Sequence, residues 1–241
     1  MKKAVIFGGQ RAGVIEVPDP KPKEDWALVK VHVAPMCAEY KTFQSGRKAD
    51  SLGHEAAGEV VAVAQPCKVA VGDRVVVMPL YSCGTCALCR GGDYIYCQNG
   101  IDPAAFTGSP EGAATMAQYV LKPSWLLPKI PEGISYEHAS LACCGLGPTF
   151  GACDRMGVSA FDMVLITGMG PVGLGGIINA RYRGARVIAV ESHPWRAERA
   201  RLLGAAAVVD PTRQDALREI LDLTNGEGVD KAIDCSGNVA A

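Results

Sequence analysis

Six residues constrain this chain more than any others. Gly168-Met169-Gly170-Pro171-Val172-Gly173 follows the apolar run MVLIT directly and opens a stretch with helical spacing, GPVGLGGIINARYRG. Alone, glycines at the first, third and sixth positions are a weak signal. Between a strand and a helix they let the chain turn tightly, bring backbone against a ligand and seat the helix close to the strand. Downstream the alternation continues: RVIAVE then PWRAERARLLG, AAAVVD then QDALREILDLTNG, and finally VDKAIDCSG. Strand–helix alternation predicts parallel strands joined by crossover helices.

A helix that begins at such a turn points free N–H groups and the positive end of its dipole at whatever sits before it, which suits a pyrophosphate. Gly168, Gly170, Pro171, Val172 and Gly173 are therefore candidate dinucleotide contacts. The second strand ends at Glu191, eighteen residues after Gly173. A carboxylate there can accept from both ribose hydroxyls and repels a 2′-phosphate, which favours NAD over NADP. Arg196 lies close by and pulls the other way. The plainer alternatives are an exposed strand-end acid and a fold of this type that binds no nucleotide.

Residues 1–125 read differently. VIEVPDP, WALVKVHV, EVVAVAQPC, DRVVVMPLY and AQYVLKP are short, valine-rich and bounded by turn residues, the signature of a barrel-like β domain. MKKAVIF and GVIEV flank Gly8-Gly9 as a hairpin. Pro123, Pro128 and Pro131 punctuate a connector, and YEHASLACCGLGPTFGACDRM then carries helical spacing. This places a β domain at 1–153 and a nucleotide-binding domain at 154–241. The chain is 49% hydrophobic with a net charge of −1, enough apolar residue for cores and no basic surplus for nucleic acid or membrane. The N-terminal apolar run is too short for a signal peptide, so a cytoplasmic setting is expected, where clustered cysteines lean towards metal or catalysis.

Two such clusters stand out. Cys83, Cys86, Cys89 and Cys97 are separated by two, two and seven residues. That spacing can turn four sulfurs to one point, with Gly84, Gly91 and Gly92 supplying the tight turns. A tetrahedral zinc site of four thiolates, with no open position, is the expectation. Disulfide pairs and free thiols are the alternatives. The second cluster is weaker on spacing alone. Cys37 lies seventeen residues before His54-Glu55, and Cys143-Cys144 follow far downstream. Three protein ligands and one vacancy are what a catalytic zinc needs.

Taken together, the motifs resemble the zinc-containing medium-chain alcohol dehydrogenases, the group with sorbitol and threonine dehydrogenases. The resemblance is carried by KAVIFGG, VIEVPDP, GHEAAGEVVAV, VGDRVVVMPLYSCGTCALCRGGDYIYC, AQYV, ITGMGPVGL, ARLLGA and EGVDKAIDCSGN. It implies an α/β architecture with an N-terminal GroES-like β-barrel and a Rossmann NAD-binding domain. It implies two zinc ions per chain: one structural, on the four-cysteine lobe, and one catalytic, on Cys37, His54 and Cys144. Cys143 is the alternative third ligand, and Glu55 an alternate ligand or a neighbour of the ligands. Thr149 falls near a position that touches nicotinamide in relatives. The implied activity is reversible oxidation of an alcohol (a polyol, an amino alcohol or a simple secondary alcohol) with NAD as hydride acceptor, in a homodimer or homotetramer at full length.

The match departs from the family in two places. Relatives follow the first zinc cysteine with a hydroxyl residue and an acid. Here the chain reads Cys37-Ala38-Glu39-Tyr40-Lys41-Thr42. Glu39 is the expected first proton acceptor and could also approach the metal, with Tyr40 or Thr42 relaying the proton outward; the alternative is that Glu39 points away. In addition, only about four strands of the nucleotide domain are present, so a chain lacking its C-terminal third is expected. That keeps a non-catalytic zinc- and dinucleotide-binding remnant as the second reading. A zinc-free reductase on the same fold is a weaker third.

Overall fold

The computed structural model describes residues 1–108 and 110–237, and the chain packs as two compact units, Met1–Ala142 and Cys143–Ala241. The first unit is built on two antiparallel sheets. One has the order β2-β1-β4, formed by β1 (Lys2–Gly8), β2 (Arg11–Glu16) and β4 (Lys48–Ala49). The other has the order β6-β5-β3-β7, formed by β3 (Trp26–Val33), β5 (Ala56–Val63), β6 (Arg74–Val77) and β7 (Tyr119–Pro123). The expected hairpin about Gly8-Gly9 is present, with Lys2 opposite Glu16 and Ile6 opposite Ala12. Single bridges, Lys3 to Ala117 and Val75 to Lys129, extend the pairing beyond the sheets.

Valine-rich strands form here because their alternate side chains have a core to enter. Ala27, Val29, Val60, Val75, Val77, Val120 and Leu127 are buried together. Each fully buried Val or Leu contributes about 1.5–3 kcal/mol relative to exposure. Among the described residues, four short helices decorate this unit: α1 (Glu39–Gln44), α2 (Ala87–Arg90), α3 (Pro103–Thr107) and α4 (Tyr136–Ser140). Ser135 caps α4 by accepting from the His138 N–H.

The second unit is a parallel sheet of order β10-β9-β8-β11, made by β8 (Met163–Thr167), β9 (Arg186–Val190), β10 (Ala207–Val209) and β11 (Lys231–Asp234). This is the order 3-2-1-4 of a doubly wound sheet, in which strand order reverses beside the first strand. The connecting helices are α6 (Pro171–Tyr182), α7 (Pro194–Leu202) and α8 (Ala216–Leu223). On one side of the sheet Val164, Ile166, Val187 and Ala189 pack with Ile177 and Ala180 of α6. Ile188 and Val209 bury against Ile220 of α8 on the other. Covering both faces is why these strands read as apolar runs rather than alternations.

The stretch 136–156 is broken rather than one helix. After α4 comes a π turn, Ala142–Leu146, then α5 (Gly147–Arg155), which starts with Pro148 in its first turn. The two units divide after Ala142, earlier than the boundary after 153 read from the sequence. The physical reason lies in α5, which packs on α6. Asn179 Nδ2 of α6 donates to Thr149 Oγ1 at 2.8 Å and to the Leu146 carbonyl at 2.9 Å.

Candidate metal centres and nucleotide turn

The four-cysteine lobe forms one cluster. Cys83, Cys86, Cys89 and Cys97 have sulfurs within 4.8 Å of one another. Individual Sγ–Sγ distances are 3.6 Å (Cys83–Cys97), 3.9 Å (Cys83–Cys89) and 4.0 Å (Cys86–Cys97). A tetrahedron of sulfurs about 2.3 Å from zinc has edges of about 3.8 Å, so the cage fits that ion and no disulfide. Backbone N–H groups are also turned onto sulfur: Cys86 donates to Cys83 Sγ at 3.4 Å and Cys83 to Cys97 Sγ at 3.3 Å. The Thr85 and Cys86 N–H groups pull the Cys83 thiol down to about 6, favouring thiolate, while burial pushes Cys89 up. Gly84 and Gly92 take left-handed turns as expected; Gly91 is instead the right-handed C-cap of α2, with φ of −79°. Trp125 lies against Gly84 and donates Nε1–H to the Ser82 carbonyl at 3.1 Å, holding the lobe to the β sheet.

A second donor group forms at the start of β5. Cys37, His54 and Glu55 present ligand atoms within 4.8 Å of one another. Gly53 makes the turn into His54 at φ +82°, where any Cβ would fall 2.4 Å from Thr115 Oγ1 and 2.8 Å from the Met116 nitrogen. Only glycine can therefore enter there. Glu55 is 3% exposed and directly follows the histidine. A thiolate, an imidazole and a carboxylate are donors zinc accepts. Cys143 and Cys144 lie in the π turn Ala142–Leu146.

Glu39, expected as a proton acceptor, has both oxygens engaged at the start of α1. Oε2 accepts from the Cys37 N–H at 2.8 Å, and Oε1 lies 3.0 Å from His54 Nδ1. Its carboxyl is held below the usual range: burial pushes up, and the N–H bonds with the nearby imidazole outweigh it. Tyr40, named as a possible relay, is 46% exposed.

In the second unit the glycine turn has the expected shape. Gly168 takes φ +78°, where a Cβ would meet Ser236 Cα at 2.5 Å. Gly173 would place its Cβ 1.9 Å from the Gly168 carbonyl oxygen, so the first turn of α6 sits directly on the loop. Gly170 caps α6, with Pro171 in the first turn, and a Cβ there meets nothing within 4 Å. The space beside its Cα is open. Val172 follows in the same turn.

Glu191 is buried at 8% exposure, contrary to the exposed-acid alternative. Oε2 accepts from the Met169 N–H and Oε1 from the His193 N–H, both at 2.8 Å. The acid thus braces the glycine turn from the neighbouring strand end. Arg196 Nη1 stands 3.9 Å from it. Beside it opens a cavity of about 390 Å³ lined by Glu191, Pro194, Arg201, Asp210, Thr212 and Arg213, among others. The residues after β10 were not foreseen; their one signal in the sequence is the turn Asp210-Pro211-Thr212 at a strand end. Thr149 is 1% exposed, with its hydroxyl engaged by Leu146 and Asn179. It serves the α5–α6 seam.

Comparison with known proteins agrees with this arrangement. The family model described as "Alcohol dehydrogenase GroES-like domain" matches residues 23–132, and that described as "Zinc-binding dehydrogenase" matches 171–241. The chain is 34% identical to sorbitol dehydrogenase of Bacillus subtilis, over 100% of this chain and 70% of the relative. It is 35% identical to L-threonine 3-dehydrogenase of Pyrococcus horikoshii, over 95% of this chain and 67% of the relative. Among solved structures, an alcohol dehydrogenase from Thermus sp. ATN1 superposes with a TM-score of 0.86 at 31% identity, covering 100% of this chain and 72% of that one. With GHE beside Cys37, a four-cysteine cage and a glycine turn before α6 all in place, the chain belongs to the zinc-containing medium-chain alcohol dehydrogenase family.

Proposed function

We propose that this chain is an alcohol dehydrogenase module that oxidises an alcohol reversibly to a carbonyl, using NAD and two zinc ions, one catalytic and one structural. The observation that carries this reading is a mixed thiolate–imidazole–carboxylate donor group standing apart from an all-sulfur cage. A closed cage of four thiolates only holds a loop, whereas mixed donors with room for a further group are the arrangement of chemistry. Zinc at the mixed site would supply a Lewis acid that lowers the alcohol's pKa, and NAD would supply the hydride acceptor.

In this reading Cys37, His54 and Cys144 hold the catalytic ion, and buried Glu55 is a neighbouring carboxylate able to exchange with a ligand. The His54 tautomer follows from its partner: Nδ1–H towards Glu39 leaves Nε2 as the donor nitrogen. Cys83, Cys86, Cys89 and Cys97 hold the structural ion. Gly168, Gly170, Pro171, Val172 and Gly173 receive the pyrophosphate at the start of α6. Glu191 keeps lone pairs for ribose hydroxyls and disfavours a 2′-phosphate, which supports NAD over NADP. Relatives named for sorbitol, threonine and erythritol or threitol support a polyol or amino alcohol as substrate class.

Zinc analysis and a substrate panel test this reading. The expected result is two zinc ions per chain and NADH formation from a polyol, amino alcohol or secondary alcohol, with NADP a poorer acceptor. One zinc per chain, with no NADH formed from any member of the panel, overturns it in favour of a non-catalytic binding module.

A further inference from the structure

We propose that Glu39 is a positioning residue that clamps two metal ligands at once and does not accept the substrate's proton. The inference rests on the reading above that Cys37 and His54 hold a metal. Its basis is that the two oxygens of one carboxylate reach two different members of the donor group. Oε2 takes the backbone N–H of Cys37 at 2.8 Å, and Oε1 faces His54 Nδ1 at 3.0 Å. Glu39 opens α1 only two residues after Cys37, so the first contact is a short local turn. The second spans fifteen residues and reaches across to the start of β5.

Burial agrees with this role. The Glu39 side chain is 11% exposed, while that of His54 is 38% exposed. The carboxylate is thus more enclosed than the imidazole it contacts. It is also outside the group of atoms that converge as donors. A carboxylate placed behind a ligating histidine fixes the ring's tautomer and angle and raises its basicity. Here it additionally holds the Cys37 backbone, so the separation between thiolate and imidazole is set by one side chain. The proton released by an alcohol must then leave by a group other than Glu39.

The test compares the whole chain with Glu39→Gln and Glu39→Ser. Each is titrated with zinc against a chromophoric chelator and, separately, with cobalt(II), whose visible bands report ligand geometry at each centre. Gln keeps the shape and loses the charge; Ser loses both contacts. The expected result is a second metal ion bound about 10–100-fold more weakly in Glu39→Gln. Glu39→Ser weakens it at least as much, with a shifted cobalt spectrum. The four-cysteine ion stays bound in all three, which shows the variants folded. Unchanged affinity and spectrum in both variants, with turnover lost only in Glu39→Gln, overturns the proposal and returns Glu39 to the proton path. Loss of both ions from the variants also overturns it, since a clamp at one centre cannot empty the other. A parent chain that binds only one zinc is a different failure, that of the functional reading itself.

Discussion

Gly173 shows how little freedom single positions have here. A methyl group at this position would lie 1.9 Å from the Gly168 oxygen, so α6 must lift off its own turn. Gly173→Ala is expected to cost about 1–3 kcal/mol, as forced overpacking does. It should also abolish NADH binding, and calorimetric titration with a thermal melt reads both. Glu191 accepts two charge-assisted N–H bonds, from Met169 and His193, in addition to the ribose contact proposed for it. Glu191→Ala should therefore weaken NADH binding by at least about tenfold, or about 1.4 kcal/mol. With Arg196 left beside the site, the gap between NADH and NADPH affinities should narrow. A variant that binds NADH as tightly as the parent would contradict this. The residue identities were legible from glycine spacing and strand-end position. The bracing of the turn by Glu191 was not, because a hydrogen bond across twenty-two residues leaves no local signature.

Elements are stabilised here by partners rather than by propensity. The lobe from Cys83 to Cys97 contains only α2, of four residues, and one turn of 3-10 helix, Tyr94–Tyr96. Segments that short have no independent stability, so on the proposed reading a metal held by the four cysteines would supply the folding energy. Replacing Cys89 by Ser should lower bound zinc to one per chain and expose the lobe to proteolysis between Gly84 and Tyr96. Fragment mass spectrometry checks this, and resistance equal to that of the parent would show that the lobe holds without its ion. The α5–α6 seam is the opposite case. It depends on buried Asn179, whose amide serves Leu146 and Thr149. Asn179→Ala should destabilise by about 1–3 kcal/mol, measured by denaturant unfolding, through unsatisfied buried groups. Small residues along 136–156 concealed both the π turn and the packing of α5, since periodicity alone does not say which neighbour a helix chooses.

At the scale of the whole chain, one ion pair and one hydroxyl hydrogen bond in the second unit contribute to the pH dependence. Asp162 accepts from Lys231 Nζ at 2.8 Å and from the Ser159 N–H, joining the entries of β8 and β11. Lys231 first, then Ser159, holds the Asp162 carboxyl below its ordinary value; the Thr167 hydroxyl does the same for Asp234. A depressed carboxylate contributes stability that is complete above the unfolded-state pKa, near 4, and is lost as pH falls through the lower folded value. Stability of the parent should thus decline with acid below about pH 4. Asp162→Asn should flatten that limb while lowering the neutral plateau, as acid titration followed by circular dichroism would show. Four thiols at metal spacing, a glycine turn after an apolar strand and valine alternation were sufficient to name the two architectures and one cage, because each is written in residues close together in the chain. Cys37, His54 and Glu55 were named as candidates from the sequence, but their convergence, the clamp by Glu39 and the division after Ala142 were decided by tertiary structure. They depend on backbone directions that bring Cys37 to His54 and α5 to α6, and such long-range contacts are selected by burial of whole faces rather than by any short run of residues.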